Sequence, residues 1–381
     1  MASSIGCSPQ MSMPRSPFAA QLIHLEQARI LPYYNALVLT WHLSEGLHLM
    51  RIALDAMGTD RRPLSDIAGG VLAAKEFGDT IVLVGDKPMV EAELKNHNVD
   101  GAKVEILHAP NDIAMDEKPT DVLKLESSSS IHVALDAVKK GDVDAFVTMG
   151  NTGAVHALAT LKTLRRIPGV KRPVLSALFA VNDHRMIFLD VGANTDVKPE
   201  WVQQFALMGG IYAERVLRCS RPRVALLSNG AEDIKGNLLI REAAELLRRS
   251  KMNFVGNVEP VQLMTSVADV IVMDGFVGNI VLKMFEATTH YVATLIRQEF
   301  RNDAISMLGG ALARPAFKRI RRRVDTSEIG GAPLLGVNGV VIIGHGGNSA
   351  IGIKNAIQQA RAAVKENVIG AIRSGIAQEK A

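Results

Sequence analysis

Short apolar runs alternate with longer amphipathic segments along most of this chain, beginning near Met50. The apolar runs are rich in Val, Ile and Leu and have the length of strands, whereas the intervening segments have helical periodicity. Strands are predicted over residues 51–55, 81–85, 104–107, 145–148, 186–190, 223–227, 253–256, 269–273 and 339–343. Helices are predicted over residues 64–77, 88–96, 128–140, 152–164, 198–217, 236–250, 277–299 and 348–367. This alternation predicts an α/β fold with a parallel or mixed sheet and helices on both faces.

Several of the predicted strands end in a polar turn of Gly, Asn, Asp and Thr that leads into a helix. The stretches that show this are Arg51–Asp60, Ala145–Leu158, Met186–Asp196, Val224–Asn237, Val270–Glu286 and Val340–Ala350. Open α/β sheets bind ligands at the carboxyl ends of their strands, and helix amino ends attract anions. The pattern therefore indicates an enzyme that handles a phosphorylated or phosphate-like ligand.

Composition narrows the function classes. Aromatic residues make up only 4% of the chain, which favours an aliphatic core and disfavours stacking surfaces for nucleic acid. The formal net charge of +4 is too small for a nucleic-acid binder but suits anionic partners. Two cysteines make a disulfide framework improbable, and no metal-binding spacing of Cys, His or acids appears, so neither a metal nor a cofactor is predicted.

Three segments stand apart from the alternating pattern. Residues 1–49 are an extension, predicted to be poorly ordered; a targeting presequence is the alternative, although the segment has few arginines. The α/β domain is predicted over residues 50–370, and residues 371–381 form a tail. A helical excursion near residues 300–329 carries a basic run, which is a candidate for membrane or carrier contact: Lys318, Arg319, Arg321, Arg322 and Arg323.

The polar turns supply the candidate site residues. In the turn Gly150–Ala154, Asn151, Thr152 and Gly153 are placed to bind phosphate, with an ordinary N-cap at Thr152 as the less favoured alternative. Lys235, before Gly236, could add a fixed cation, with a solvated loop lysine as the alternative. His345 lies among glycines and could carry a proton or donate to an oxyanion.

The remaining candidates follow other strand ends, and no known nucleophile motif accompanies them. They are Asp55, Gly58, Asp60, Asn194, Asp274, Gly275, Gly278 and Asn279. The chain has no G-x-S-x-G elbow, Walker A motif or GxGxxG fingerprint. This absence favours direct attack by a bound substrate over a covalent enzyme intermediate.

Six motifs together resemble one family. They are RIALDAMGTD, GNTGA, LDVGANTDVKPEWVQQFALMG, EDIKGN, ADVIVMDGFVGNIVLK and GHGGNSA, in order between Met50 and about Ala363. The set resembles the bacterial phosphate acyltransferases of phospholipid synthesis, the acyl-[acyl-carrier-protein]:phosphate acyltransferase family. The resemblance implies a three-layer α/β/α Rossmann-like fold, related to phosphotransacetylase and isopropylmalate dehydrogenase. It also implies a homodimer in the cytoplasm with peripheral membrane contact.

The implied reaction moves a long-chain acyl group from acyl-carrier protein to inorganic phosphate, giving acyl phosphate for a membrane glycerol-3-phosphate acyltransferase. In that reaction Lys235 and the Gly150–Ala154 turn would hold phosphate, while Asp274, Asn279 and His345 would shape the thioester site. The other candidates would bind substrate or phosphate.

The chain also departs from the family pattern. Thr59 stands where the family usually has a second Gly, and Asp121, Leu125 and Glu126 stand where it tends to have basic residues. Two alternatives therefore stay open: a phosphotransacetylase-like enzyme that uses acyl-coenzyme A, and a non-catalytic homologue that acts as a binding scaffold.

Overall fold

The computed structural model describes residues 49–181, 184–324 and 330–379, and within the helix Ala304–Val324 the side chains of residues 318, 319 and 321–324 fall outside the description. Residues 1–48 of the predicted extension 1–49, and the side chains of all but Ile320 in the basic run Lys318–Arg323, therefore lie outside the described residues. Residues from Met50 onward form one compact unit.

The strands and helices follow the predicted order from Arg51 onward. The strands are β1 (Arg51–Asp55), β2 (Thr80–Gly85), β3 (Lys103–His108), β4 (Ala145–Thr148), β5 (Val174–Val181), β6 (His184–Leu189), β7 (Arg223–Leu227), β8 (Asn253–Val258), β9 (Val270–Val272), β10 (Ala332–Leu335) and β11 (Val340–Ile343). The α-helices are α1 (Leu64–Phe77), α2 (Lys87–Leu94), α3 (Pro119–Val122), α4 (Ser130–Lys140), α5 (Thr152–Ala157), α6 (Pro199–Arg215), α7 (Leu238–Arg249), α8 (Gly275–Glu299), α9 (Ala304–Val324), α10 (Ala350–Lys365) and α11 (Val368–Glu379). A π-helical turn at Leu158–Lys162 continues α5, and a 3₁₀ turn covers Pro260–Met264.

The described strands form one mixed sheet in the order β3-β2-β1-β4-β11-β10-β5-β6-β9-β7-β8. Its two outer parts are parallel, but β10 is antiparallel to both β11 and β5, and β5 is antiparallel to β6. These three reversals make β6 to β9 point opposite to β1 to β4 and β11. The polar strand ends therefore divide between two opposite edges of the sheet.

Helices cover both faces of the sheet, as the sequence predicts. Alternate strand positions turn to opposite faces, so Ile52 and Leu54 join one core while Ala53 joins the other. The first core includes α1, α6, α7, α10 and α11, and the second includes α4 and α5. The three-layer α/β/α architecture is confirmed.

Two strands are absent from the prediction. These are β5 and β10. Only two residues separate β5 from β6, and β10 is a four-residue strand that contains Pro333, so neither β5 nor β10 fits a strand–helix alternation. Residues 371–379 of the predicted tail 371–381 also belong to the folded unit. In α11 the apolar residues Val368, Ile372 and Ile376 recur at helical spacing and are buried. Their burial continues the core beyond residue 370, because α11 packs against α6 and α10.

Candidate active site

A cavity of about 820 Å³, here called the central cavity, lies over the antiparallel strands in the middle of the sheet. Leu175, Ala177 and Phe179 of β5 form part of its floor, since alternate residues of a strand face one side. One wall comes from α5 and its π-helical turn. The opposite wall comes from one face of α8, at Asn279, Leu282, Lys283 and Glu286.

The two ends of the cavity come from opposite edges of the sheet. Residues 343–348, after β11, close one end, and residues 191–193, after β6, close the other. The three strand reversals make this possible, because they bring polar turns from both parallel halves to a single space. Four predicted site residues line the cavity: Thr152, Gly153, Asn279 and His345.

Asp55 and Gly58 lie behind the cavity and join β1 to β4. Asp55 accepts hydrogen bonds from the Thr148 hydroxyl at 2.7 Å and from the Met57 amide at 3.0 Å. Burial raises the pKa of the Asp55 carboxyl, although these bonds act in the opposite direction. A Cβ at position 58 would stand 2.8 Å from the Met149 nitrogen, so only Gly permits this close approach of the two turns.

Asn151 caps α5 and holds a neighbouring loop. Its side-chain oxygen accepts a hydrogen bond from the Ala154 amide at 3.0 Å. Its side-chain nitrogen donates to the carbonyl groups of Ala114, Met115 and Glu117 at 2.9–3.1 Å. The Asn151 side chain thus shapes the turn, and the neighbouring Thr152 and Gly153 face the cavity.

Asp60 and His345 meet at one end of the cavity. The Asp60 amide donates to the Gly346 carbonyl at 3.0 Å, and this bond fixes the glycine turn that carries His345. The Gly347 amide donates to Nδ1 of His345 at 3.2 Å. Nδ1 therefore accepts, and Nε2 carries the proton of the neutral ring. This assignment makes His345 a hydrogen-bond donor through Nε2.

Asp190 organises the other end. Its carboxylate accepts from the amides of Gly192, Ala193 and Asn194 and from the Asn194 side chain, at 2.8–3.0 Å. Burial nevertheless raises the pKa of this fully buried carboxyl. The Asn194 carbonyl in turn accepts from the Gly275 amide at 2.8 Å. These bonds connect the turn after β6 to the start of α8, where Asn279 lies.

Asp274 and Lys235 both lie outside the central cavity. Asp274 is the N-cap of α8 and accepts from the Val277 amide at 2.8 Å. It lines a separate recess together with Asn237 and Thr195. Lys235 is exposed and is absent from both linings, and its stem lies against Gly230. Lys235 therefore does not line the cavity that holds His345 and Asn279.

Sequence reasoning missed several polar groups in the cavity walls. His156 and Thr160, one helical turn apart, both line the cavity. Nε2 of His156 and the Thr160 hydroxyl are buried without a hydrogen-bond partner among the described residues. Burial, and secondarily the charge of Arg172, lowers the pKa of His156, so its ring is neutral near pH 7. A sequence signal existed in the two polar residues spaced by four in an otherwise apolar helix.

Two cations also reach the cavity. Arg172 precedes β5, lines the cavity and stacks its guanidinium on the Trp201 ring at 4.9 Å from the ring centre. Lys283 lies on the wall formed by α8. Both residues were passed over because they do not follow a polar strand end. These two cationic side chains therefore give the cavity walls positive charge.

Thr59, which departs from the family pattern, forms a hydrogen bond with Asp66. The Thr59 hydroxyl donates to Oδ2 of Asp66 at 2.6 Å, and both residues are buried. Oδ1 of Asp66 has no hydrogen-bond partner among the described residues. Burial raises the pKa of Asp66 from 3.8 to about 8, and the charge of Asp55 adds to this effect.

The raised pKa of Asp66 predicts a pH-dependent stability. An acid that binds its proton more tightly when folded costs stability as pH rises from its unfolded pKa of 3.8 towards about 8. Asp66→Asn keeps the side-chain shape and removes the titration. We expect urea midpoints of the wild type to fall more steeply than those of Asp66→Asn between pH 5 and about 8. Parallel slopes would contradict the raised pKa.

The described residues contain no group of three or more His, Cys, Asp or Glu side chains placed to hold a metal ion. Within the same residues, no helix is long and apolar enough to cross a membrane.

Comparison with solved structures assigns the fold class. A phosphotransacetylase from Streptococcus pyogenes matches with a TM-score of 0.54 and 16% identity, covering 84% of this chain and 94% of that one. A branched-chain phosphotransacylase from Enterococcus faecalis V583 matches with a TM-score of 0.52 and 13% identity, covering 83% and 99%. The protein therefore has the α/β/α fold that phosphotransacetylases share.

Sequence comparisons show the family. The model of the family described as "Fatty acid synthesis protein" matches residues 50–371. The phosphate acyltransferase of Geobacter sulfurreducens is 43% identical over 84% of this chain and 92% of its own length. That of Heliobacterium modesticaldum is 45% identical over 86% and 98%. The chain belongs to the fatty acid synthesis protein family, and it is an enzyme of the acyltransferase class.

Proposed function

We propose that this protein transfers a long-chain acyl group from acyl-carrier protein to inorganic phosphate, and that the acyl phosphate serves glycerophospholipid synthesis. One observation carries the proposal: the central cavity combines an apolar floor with nitrogen donors in its walls and at one end. An acyl chain needs the first feature, and a phosphate acceptor needs the second. The names of the curated relatives support the same reaction.

The acyl chain lies along the floor of the cavity. The apolar lining comes from both sheet and helices, with Leu175, Phe179 and Leu334 below and Leu161 and Leu282 at the sides. A volume of about 820 Å³ is in the range of cavities that enclose small-molecule ligands. Burial of each methylene contributes roughly 0.8 kcal/mol, which favours a long chain over a short one.

Phosphate binds at Arg172, His156 and Thr160. Arg172 supplies a positive charge that can pair with two phosphate oxygens. The imidazole and the hydroxyl supply hydrogen-bonding atoms that are buried and have no described partner. A buried polar atom without a partner costs about 1–3 kcal/mol, so a ligand that bonds to both atoms is favoured. This phosphate site is an alternative to the one that the resemblance implies at Lys235.

The reaction needs no covalent enzyme intermediate. A phosphate oxygen of HPO₄²⁻ attacks the thioester carbonyl, and a C–O bond forms as the C–S bond breaks. The departing sulfur takes the remaining phosphate proton, so the products are the acyl phosphate dianion and a free thiol. The enzyme therefore contributes mainly by holding the two substrates together and by stabilising charge.

The tetrahedral oxyanion lies between His345 and Asn279. Nε2 of His345 is the donor nitrogen because the Gly347 amide donates to Nδ1. Asn279 is half-buried in the cavity wall, and its side-chain amide has no described hydrogen-bond partner. Each donor that is aimed at the oxyanion contributes on the order of 10²–10³ in rate.

Assembly and location are part of the same proposal. We propose a cytoplasmic homodimer that touches the membrane surface and passes acyl phosphate to a membrane glycerol-3-phosphate acyltransferase. Support comes from apolar side chains exposed along the outer helices, including Met284 and Tyr291 of α8 and Ile305, Leu308 and Leu312 of α9. Sedimentation tests the dimer, and flotation with anionic vesicles tests the membrane contact.

The central test is direct. The full-length protein is incubated with phosphate and palmitoyl carrier protein, and acyl phosphate is trapped with hydroxylamine. We expect acyl hydroxamate to form only when phosphate and enzyme are both present. A parallel reaction with palmitoyl-coenzyme A tests the alternative donor. A folded sample that releases no thiol from either donor would leave the scaffold alternative standing.

A further inference from the structure

A long segment of this chain carries positive charge and no acid. Between Asp144 and Asp183 there is no Asp or Glu, whereas five Lys and Arg residues fall within eleven positions. We call these five the cationic rim: Lys162, Arg165, Arg166, Lys171 and Arg172. The rim covers the end of the π-helical turn and the loop that leads into β5.

The cationic rim lies at the mouth of the central cavity. Arg172 itself lines the cavity, and so do Thr160 and Leu161, which directly precede Lys162. Arg165, Arg166 and Lys171 are exposed. The rim therefore connects the protein surface with the space where the acyl group and phosphate are proposed to react.

The loop of the rim is held in one conformation. The Asn338 side chain donates to the carbonyl groups of Leu164, Arg165 and Arg166 at 2.9–3.4 Å. The Lys171 amide donates to the Gln204 side chain at 2.8 Å. Because the backbone is fixed, the cations are presented to a partner with little ordering cost.

None of the five cations has an ion-pair partner among the described residues, although cations elsewhere in the fold are paired. Arg223, for example, lies 3.0 Å from Asp269, and Arg361 lies 2.6 Å from Asp79. Clustered like charges repel one another, so a partner of opposite charge that binds the cluster relieves this repulsion. The rim is thus a positively charged surface whose cations have no ion-pair partner among the described residues.

We propose that the cationic rim is the docking surface for an acidic acyl-carrier protein, whose thioester arm enters the cavity past Leu161 and Arg172. This proposal rests on the proposed function, since it names how the donor reaches the same site. The exposed side chain of Leu161 offers an apolar contact inside a ring of charge, an arrangement found at protein interfaces. The breadth of the rim favours a protein over a small anion.

A neighbouring loop limits the direction of approach. The segment that holds Asn151 and Lys162 includes the acids Asp116, Glu117, Asp121 and Glu126. These acids repel a negatively charged carrier, so docking is confined to the side formed by Arg165, Arg166 and Lys171.

The test reverses two rim charges and compares them with two distant ones. Arg165→Glu/Lys171→Glu changes side chains that make no described hydrogen bond or ion pair. The matched control is Lys95→Glu/Lys103→Glu, near the edge strand β3. Six strand spacings, or about 29 Å, separate β3 from β5. Both variants lower the formal net charge from +4 to 0.

We expect kcat/KM for palmitoyl carrier protein to fall at least 10-fold in the rim variant and less than twofold in the control. With palmitoyl-pantetheine, which lacks the carrier, both variants should match the wild type. Raising salt from about 50 to 500 mM should weaken the wild type towards the rim variant, because screening acts on exposed charges. Thermal midpoints establish that both variants are folded.

Three outcomes would overturn the docking proposal. These are an equal loss with both donors, an equal loss in the control variant, and no loss in the rim variant. Fluorescence anisotropy of labelled acyl-carrier protein separates docking from catalysis. If the wild type binds the carrier and the rim variant does not, docking holds even where no acyl phosphate forms. If both bind alike, the rim is not the docking surface.

Discussion

Arg172→Ala is expected to raise the phosphate concentration for half-maximal turnover by about 10- to 100-fold. A charge-assisted hydrogen bond contributes roughly 1.5–3 kcal/mol, and every 1.4 kcal/mol is tenfold in affinity. Arg172 lines the cavity and its charge reaches His156, whose neighbouring atoms have no described partner. Steady-state kinetics with varied phosphate at saturating acyl donor measure the effect.

A comparison with Lys235→Ala distinguishes between the two candidate phosphate-binding sites. The family resemblance predicts a loss of about 10-fold at Lys235, whereas the cavity geometry predicts a smaller effect there than at Arg172. Arg172→Lys retains the charge without the planar fork, so we expect partial recovery. If Lys235→Ala raises the phosphate requirement and Arg172→Ala does not, phosphate binds after β7.

Gly278→Ala is expected to destabilise the protein by about 3 kcal/mol or more. A Cβ at this position would overlap the carbonyl oxygen of Asp190, which is backbone and cannot rotate away. The overlap would push α8 from the turn after β6 and displace Asn279 from the cavity wall. Urea unfolding measures the loss of stability, and turnover should fall with it.

Gly210→Ala is the matched control. Gly210 lies inside α6, and a Cβ there would meet no atom within 4 Å. Replacing Gly by Ala inside a helix without a clash stabilises by roughly 0.4–1 kcal/mol. Opposite signs for the two substitutions are therefore expected. Equal effects would show that helix propensity, rather than the contact with Asp190, determines the change at position 278.

Most elements were predictable because they depend on local patterns. Asn151 and Asp274 precede helices in the sequence, and each proves to cap the helix that follows. The strand over residues 145–148 was predicted with its observed bounds because a short apolar run between two polar turns is typical of a buried strand. By contrast, β5 was missed because it pairs antiparallel with β6 after only two residues, which a strand–helix alternation does not predict, and because its other partner, β10, is distant in the sequence.

The candidate site was predictable only in part. Thr152, Gly153, Asn279 and His345 were chosen because they follow strand ends, and all four line the cavity. Lys235 was chosen by the same rule but does not line the cavity, because β7 is three strand positions away from β5, over which the cavity lies. His156, Thr160 and Arg172 lie within or after a helix, where side-chain direction decides their role.

The sequence by itself determined the α/β class, the helix starts and the family, because each of these depends on short-range patterns that survive in a single chain. Only the tertiary structure decided which polar residues share a space. Three antiparallel pairings in the middle of the sheet reverse its second half, so turns from opposite edges meet over β5 and β10. Strand direction is set by long-range pairing, and residue order does not encode it locally.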